Sequence, residues 1–316
     1  MATASAVTNT FSSPGVLMSE NFADILDARF KDVALRAWNT PVEGLKYFAQ
    51  QNTNRAYEKY SAVMPLGVVP KSTDVDEIPM LNSAQGFDMT ITPVVYKAGV
   101  RVEKRLRETD QVGVIDKLFG SLMQAWHETQ ELYAALPFNT AFSTTVEWIC
   151  ADGMNLIDAS RRYEDNTVGT WDNEETAAAL SQSSIATMRL NFDKNKNERG
   201  RLAPIKMEKL VVNSTLQDTA ITQLMSVLKP GSSLNDKNYL TQYGISYEVW
   251  RYLSSTTPYF GFGPKDSLFE LYWLWGAPVS VMDYDSGNPD VYAKRLRAVF
   301  ATGCRRPHSV RGNAGA

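Results

Sequence analysis

Cysteine and histidine are scarce in this sequence, and long apolar runs are missing. Cys150 and Cys304 are the only cysteines, too few for a disulfide scaffold or a four-thiolate zinc site. Two ordinary reduced thiols are expected of an intracellular chain. His127 and His308 are the only histidines, and neither stands at metal-ligand spacing. His127 lies in a helical stretch beside Glu128 and Glu131 and reads as a helix-surface side chain. No Gly-x-Ser-x-Gly elbow, phosphate-binding P-loop or dinucleotide-binding glycine pattern occurs. Residues 261–264 (GFGP) read as a turn. Asp283, Asp285 and Asp290 around Gly287 lack the closing Glu of a calcium loop, so an ordinary polar turn is expected there. The chain is therefore read as a non-enzyme, with no catalytic residue, cofactor or metal.

The longest apolar clusters, such as residues 271–275, fall far short of the ~20 residues that cross a bilayer. Residues 1–19 carry no charge, so the positive n-region of a signal peptide is missing. A soluble protein made in the cytosol, with no membrane contact, is expected. A net charge of −3 excludes an electrostatic nucleic-acid binder at the level of the whole molecule; contact with DNA would need a local basic patch. No repeat of 20–50 residues is visible, which excludes a solenoid.

What remains is ordinary globular material: 316 residues, 44% hydrophobic and 21% charged, enough for a large core. Residues 1–18 read as an uncharged arm broken at Pro14-Gly15. Ser19 can cap a helix carrying Phe22, Ile25, Leu26, Phe30 and Val33 at helical spacing. Pro41 interrupts it, and a short helix follows through Leu45, Tyr47 and Phe48. From Tyr60 to Arg107 the pattern is extended. Val63, Leu66, Val68 and Val69 form one strand-like run and residues 87–102 a longer one, around an acidic tip (70–83) with Lys71, Asp74, Asp76 and Glu77. That is an extended hairpin. Two strands alone are marginal in water, so such an arm is useful when a neighbouring molecule covers it.

The clearest helix starts at Thr109 or Asp110, carries Ile115, Leu118, Phe119, Leu122, Trp126, Tyr133 and Leu136 on one stripe, and stops at Pro137. Roughly 26 residues at 1.5 Å each give a rod about 40 Å long. Further on, the pattern predicts a helix over 174–191, a solvated loop over 193–201, a buried strand at 210–212 and a helix over 216–228. Short strands follow within 243–275, then an extended segment at 292–302. After Asp290 the chain has six basic residues, Lys294, Arg295, Arg297, Arg305, Arg306 and Arg311, and no acidic one.

Three stretches carry a resemblance to a known family. Residues 96–139 (YKAGVRVEKRLRETDQVGVIDKLFGSLMQAWHETQELYAALPFN) look like a strand running into a long amphipathic helix. Residues 200–226 (GRLAPIKMEKLVVNSTLQDTAITQLMS) hold a glycine, a proline, a short strand and a helix, and residues 295–313 (RLRAVFATGCRRPHSVRGN) resemble a basic closing strand. In this order the chain resembles the Hong Kong 97-like major capsid proteins of tailed phages. The resemblance implies an α+β fold: N-arm (1–40), E-loop and flanking strands (41–108), peripheral domain (109–206) with a spine helix (109–137), axial domain (207–282), and return strand with C-terminal tail (283–316).

It also implies a homo-oligomer of pentamers and hexamers that closes an icosahedral shell. Because the first 18 residues are too short for a built-in scaffold, scaffolding is a separate protein or unnecessary; portal and decoration proteins are further partners. Packaged double-stranded DNA is touched non-specifically at most. The expected place is the virion, assembled in the host cytoplasm. Candidate inter-subunit contacts are Lys71, Asp74, Asp76 and Glu77 on the arm, and Arg305, Arg306 and Arg311 in the basic C-terminal segment. That segment reads first as a surface meeting a neighbour's acidic tip, then as a solvated charged strand, and last as a contact with packaged DNA. Charge reversal at Arg305 and Arg306 is then expected to leave a folded, assembly-defective subunit. The family's founding member crosslinks through an E-loop lysine; Lys71 lies near that place and reads here as a solvated lysine. The alternatives are an encapsulin-like nanocompartment shell, which shares the fold, and another virion protein such as a tail-tube subunit.

Overall fold

The computed structural model describes residues 41–73, 77–103, 114–143, 148–165, 168–231, 236–265, 270–284 and 291–316. The helix expected after Ser19, the start of the long helix at 109–110, and Asp74, Asp76, Asp285 and Asp290 lie outside the described residues.

The strands in chain order are β1 (Ala49–Asn52), β2 (Glu58–Val63), β3 (Gln85–Ile91), β4 (Val94–Glu103), β5 (Arg161–Arg162), β6 (Thr170–Trp171), β7 (Glu174–Glu175), β8 (Lys209–Val212), β9 (Ser246–Val249), β10 (Tyr259–Phe262), β11 (Leu271–Asp283), β12 (Val291–Cys304) and β13 (Val310–Asn313). The helices are α1 (Val114–Asn139), α2 (Gln182–Asp193) and α3 (Gln217–Met225). A four-stranded sheet has the order β1-β11-β12-β4, and a five-stranded sheet β7-β13-β10-β8-β9. β2 and β3 form a separate antiparallel hairpin.

The extended run over 87–102 is not one strand. Pro93 lacks the N–H a ladder needs, so the chain breaks there: β3 pairs with β2 in the hairpin, while β4 pairs with β12, Val94 opposite Phe300 and Glu103 opposite Val291. Leu66, Val68 and Val69 lie beyond the end of β2 in irregular, exposed chain.

α1 packs its apolar stripe on the four-stranded sheet. Trp126 and Tyr133 meet Phe300 of β12 edge-on, at 5.8 and 5.6 Å between centroids, while Trp273 stacks on the same ring at 4.6 Å. Burying each such ring contributes about 2–3 kcal/mol. The helix runs two residues past Pro137, further than expected. Phe138 is buried against Trp250 and Phe260, each at 5.3 Å, and Asn139 bonds to Tyr252 O and Ser254 N. These contacts hold the last turn although Pro137 cannot donate to it. The five-stranded sheet is covered on both faces: Val211 and Phe260 join the core beneath α1, whereas Leu210, Val212 and Tyr259 pack with Ile185, Met188 and Phe192 of α2 and Ala220 and Leu224 of α3.

Three further expectations are corrected. The helix expected from 174 begins at Gln182, because Ser181 and Ser184 close a capping box and Glu174–Glu175 run extended beside Gly312–Asn313. Residues 261 and 262 of the GFGP run belong to β10, with Phe262 buried. The 193–201 run is not a wholly solvated loop: Asn195 and Glu198 are buried within it.

Candidate functional site: the arm, its anchors and the ionic cluster beneath it

Between β2 and β3 the chain projects as an arm. Val69, Ile78 and Met80 are 77%, 76% and 85% exposed, and Leu66 and Val68 are also open. Lys71 and Glu77 are exposed on the same arm. Large apolar side chains left bare in series mark a surface that another molecule covers.

The arm is fixed at its root from inside the subunit. Met64 N donates to Ala84 O at 2.9 Å and Ser83 Oγ to Met64 O at 2.5 Å, which continues the hairpin past its strands. Arg199, from the 193–201 run, reaches across: its Nε donates to Pro65 O at 2.6 Å and its Nη2 to Asn82 O at 2.8 Å. One guanidinium thus ties both sides of the arm to one place. Its planar fork suits this better than a lysine ammonium. Arg199→Ala is expected to raise protease cleavage within 64–84 about fivefold, since losing two charge-assisted bonds at a half-open site costs about 1 kcal/mol. Arg199→Lys should fall between. An unchanged cleavage rate would mean that the clamp does not hold the arm.

Below the root lies a cluster of buried charges. A Cβ at Gly86 would overlap the Glu164 carboxylate, so β3 lies directly against that side chain and a larger residue would have to displace it. Glu164 N donates to Glu198 Oε2 at 3.0 Å. Glu198 takes Arg306 Nη1 at 3.3 Å, and Glu270 takes Arg305 Nε at 2.7 Å together with Arg306 Nε and Nη2 at 3.1 and 2.9 Å. Burial raises the Glu270 carboxyl, but hydrogen bonds from Arg305 and Arg306 outweigh it and hold it below its ordinary value. Glu198 is raised, chiefly by burial. Glu164 is pushed up to about 7, first by burial and then by the charge of Glu198. His308, fully buried 4.2 Å from Trp171, is pushed down to about 3 by burial and by Arg306, and is therefore neutral at pH 7.

Glu164 carries a pH dependence whose sign follows from that shift. Its folded-state value lies above the unfolded one, so the native state keeps a proton that the unfolded chain loses, and stability falls as pH rises from about 4.5 to about 7. Glu164→Gln removes this slope. The unfolding midpoint of the wild type should fall below that of the variant between pH 5 and 7.5; parallel curves would sink the assignment.

The expected basic surface of the C-terminal segment is not built from Arg305, Arg306 and Arg311. Arg311 is 4% exposed and joins Glu175 Oε1 at 2.6 Å and Asp172 Oδ1 at 2.5 Å. All three arginines are neutralised within the subunit by carboxylates 35 to 139 residues away in sequence. Charge reversal at Arg305 or Arg306 should therefore impair folding, not assembly alone. Arg199, Glu164, Glu198 and Glu270 carried no local signal in the sequence. Cys150 and Cys304 are free and buried; Cys150 Sγ donates to Asn155 O at 3.6 Å, a carbonyl that also takes Arg161, and Arg161 pairs with Asp152 at 2.8 Å. Among the described residues, no group of three or more His, Cys, Asp or Glu is placed to hold a metal, and no helix is long and apolar enough to cross a membrane.

No family model matches the sequence, and no curated protein is similar to it in sequence. Solved structures are similar in fold. A chain from the capsid structure of cyanophage P-SCSP1u superimposes with a TM-score of 0.58 at 8% identity, over 85% of this chain and 86% of its own. A chain from Microbacterium phage Oxtober96 gives 0.54 at 9% identity, over 88% and 92%, and one from the capsid of myovirus XM1 gives 0.53 at 10%, over 87% and 92%. The arm with its clamped root, the long helix on a four-stranded sheet and the second, doubly covered sheet together make this an α+β chain with the Hong Kong 97-like capsid fold.

Proposed function

We propose that the chain is the major capsid protein of a tailed phage, self-assembling through pentamers and hexamers into an icosahedral shell around double-stranded DNA. The observation that carries this reading is the reach of the fold match. It takes in 85–88% of this chain and 86–92% of three chains from phage structures, two of them capsids. A shell needs many modest contacts per subunit, because each association step must offset an estimated 4–15 kcal/mol of lost translational and rotational freedom. An arm tied at its root and bare beyond it suits this: once one contact is made, the next forms at high effective concentration.

In this reading Lys71, Asp74, Asp76 and Glu77 contact a neighbouring subunit, the E-loop and its flanking strands occupy 41–108, and the axial domain of 207–282 faces the capsomer centre. Scaffolding, portal and decoration are separate proteins, the role is structural and not enzymatic, and the place is the virion, assembled in the host cytoplasm. Expressing the chain alone and with its neighbouring genes, then examining the products by negative-stain electron microscopy, tests it. Closed shells of uniform diameter are expected. A hexameric tube points to a tail-tube subunit, and a shell that packages an enzyme without a portal to a nanocompartment.

A further inference from the structure

One face of the four-stranded sheet is covered by α1, and the other is covered at one end only. There the hairpin root lies against it: Tyr60 stacks on Tyr272 at 4.5 Å, and Met89 and Ile91 pack over Gly303. Among the described residues the other end of that outer face is open, and its four cations outnumber the one carboxylate on it, Glu103. The register sets Lys97 directly opposite Arg297, Gly99 opposite Arg295 and Arg101 opposite Ala293. Successive outward positions on a strand lie about 6.6 Å apart, so the four cations stand on one small face around Gly99. Lys97, Arg101 and Arg295 rim a groove of about 450 Å³, with Tyr284 at its side, over whose ring the Arg295 guanidinium sits at 5.9 Å.

Lys294 points to the opposite face and is already paired with Asp283 at 2.6 Å. Among the described residues, no carboxylate stands within ion-pair distance of Lys97, Arg101, Arg295 or Arg297. The sequence concentrates positive charge in the same two strands: β4 and β12 hold five basic residues, Lys97, Arg101, Lys294, Arg295 and Arg297, against one acidic, Glu103, in a chain of net charge −3. Like charges set directly opposite in a sheet are destabilising. The folded subunit thus carries a repulsion that an anion would relieve.

We infer that this bare sheet face is a sequence-independent binding surface for the phosphate backbone of nucleic acid. The inference rests on the capsid reading for its biological setting, not for its chemistry. A contact between copies of the chain would place an apolar core at the patch centre, with charge depleted there. Here cations surround a glycine, which is the electrostatic footprint of non-specific backbone binding.

The test titrates a fluorescently labelled 30-base-pair duplex with the full-length chain at 50, 100 and 200 mM NaCl. Wild type should bind with a steep salt dependence. Arg101→Gln/Arg295→Gln and Lys97→Gln/Arg297→Gln should each weaken binding roughly tenfold and flatten the slope of log K against log salt by about two, near one per cation removed. Lys194→Gln/Lys196→Gln, on exposed lysines elsewhere, should bind as wild type. Thermal melts establish that each variant is folded. No duplex binding by wild type, or equal loss in the control, overturns the inference. Unchanged duplex affinity combined with loss of particles also overturns it, and assigns the face to contacts between copies. Particle formation, scored separately by microscopy, reports on the capsid reading alone.

Discussion

Replacing Glu270 by Ala should lower folding stability by about 3–5 kcal/mol, the cost of leaving buried charges without their partner. Glu270 is 2% exposed and serves Arg305 and Arg306 at once, so its loss strands two guanidiniums in a site with little access to water. Urea unfolding at pH 7 measures this, with an insoluble product as the extreme outcome. The control is Glu270→Leu with Arg305→Met, Arg306→Met and Glu198→Gln, which removes Glu270, both its arginines and the carboxylate that shares Arg306, and should recover most of the loss, since apolar replacements of buried ion sets are often neutral. A Glu270→Ala subunit within about 0.5 kcal/mol of wild type would mean that the cluster is solvated in solution, because a surface ion pair contributes no more than that.

Val69→Asp combined with Met80→Asp is expected to abolish particles while leaving the subunit folded. Both side chains are more than three-quarters exposed and belong to neither buried core cluster, so the melting curve should not move. Covering a valine or methionine by a neighbour contributes about 1.5–3 kcal/mol each. Losing both lowers every such contact by a factor of roughly 10²–10⁴, at 1.4 kcal/mol per tenfold. Sucrose-gradient sedimentation measures it, with protein expected at the top of the gradient. Particles at wild-type yield would show that the arm's apolar residues are not covered on assembly.

These two outcomes separate what was legible in the sequence from what was not. The long helix could be read because Phe119, Leu122, Trp126 and Tyr133 repeat at helical spacing over many turns, a pattern set by local geometry. The bare arm could be read because an acidic, proline-containing tip between strand-like runs has no route to a core. Strand partnership was harder. Residues 87–102 look continuous, and Pro93 alone marks that they enter two different sheets. The C-terminal arginines misled for the same reason. A run of basic residues without acids nearby reads as a surface, yet Glu175, Glu198 and Glu270 reach them through the fold and not along the chain. Glu198 was the least legible, sitting in a run of charges whose composition suggests full solvation. The two strands holding Lys97, Arg101, Arg295 and Arg297 acquire a common face only through the register of β4 on β12.

The central claim, that this subunit builds a closed shell with arms overlapping neighbouring copies, is tested most directly by cryo-electron microscopy of the purified particles with icosahedral averaging. The account predicts a shell of pentamers and hexamers in which density for residues 64–84 leaves its own subunit at the Arg199 clamp and lies on an adjacent one. A helical tube, or a shell in which each arm folds back on its own subunit, would contradict it.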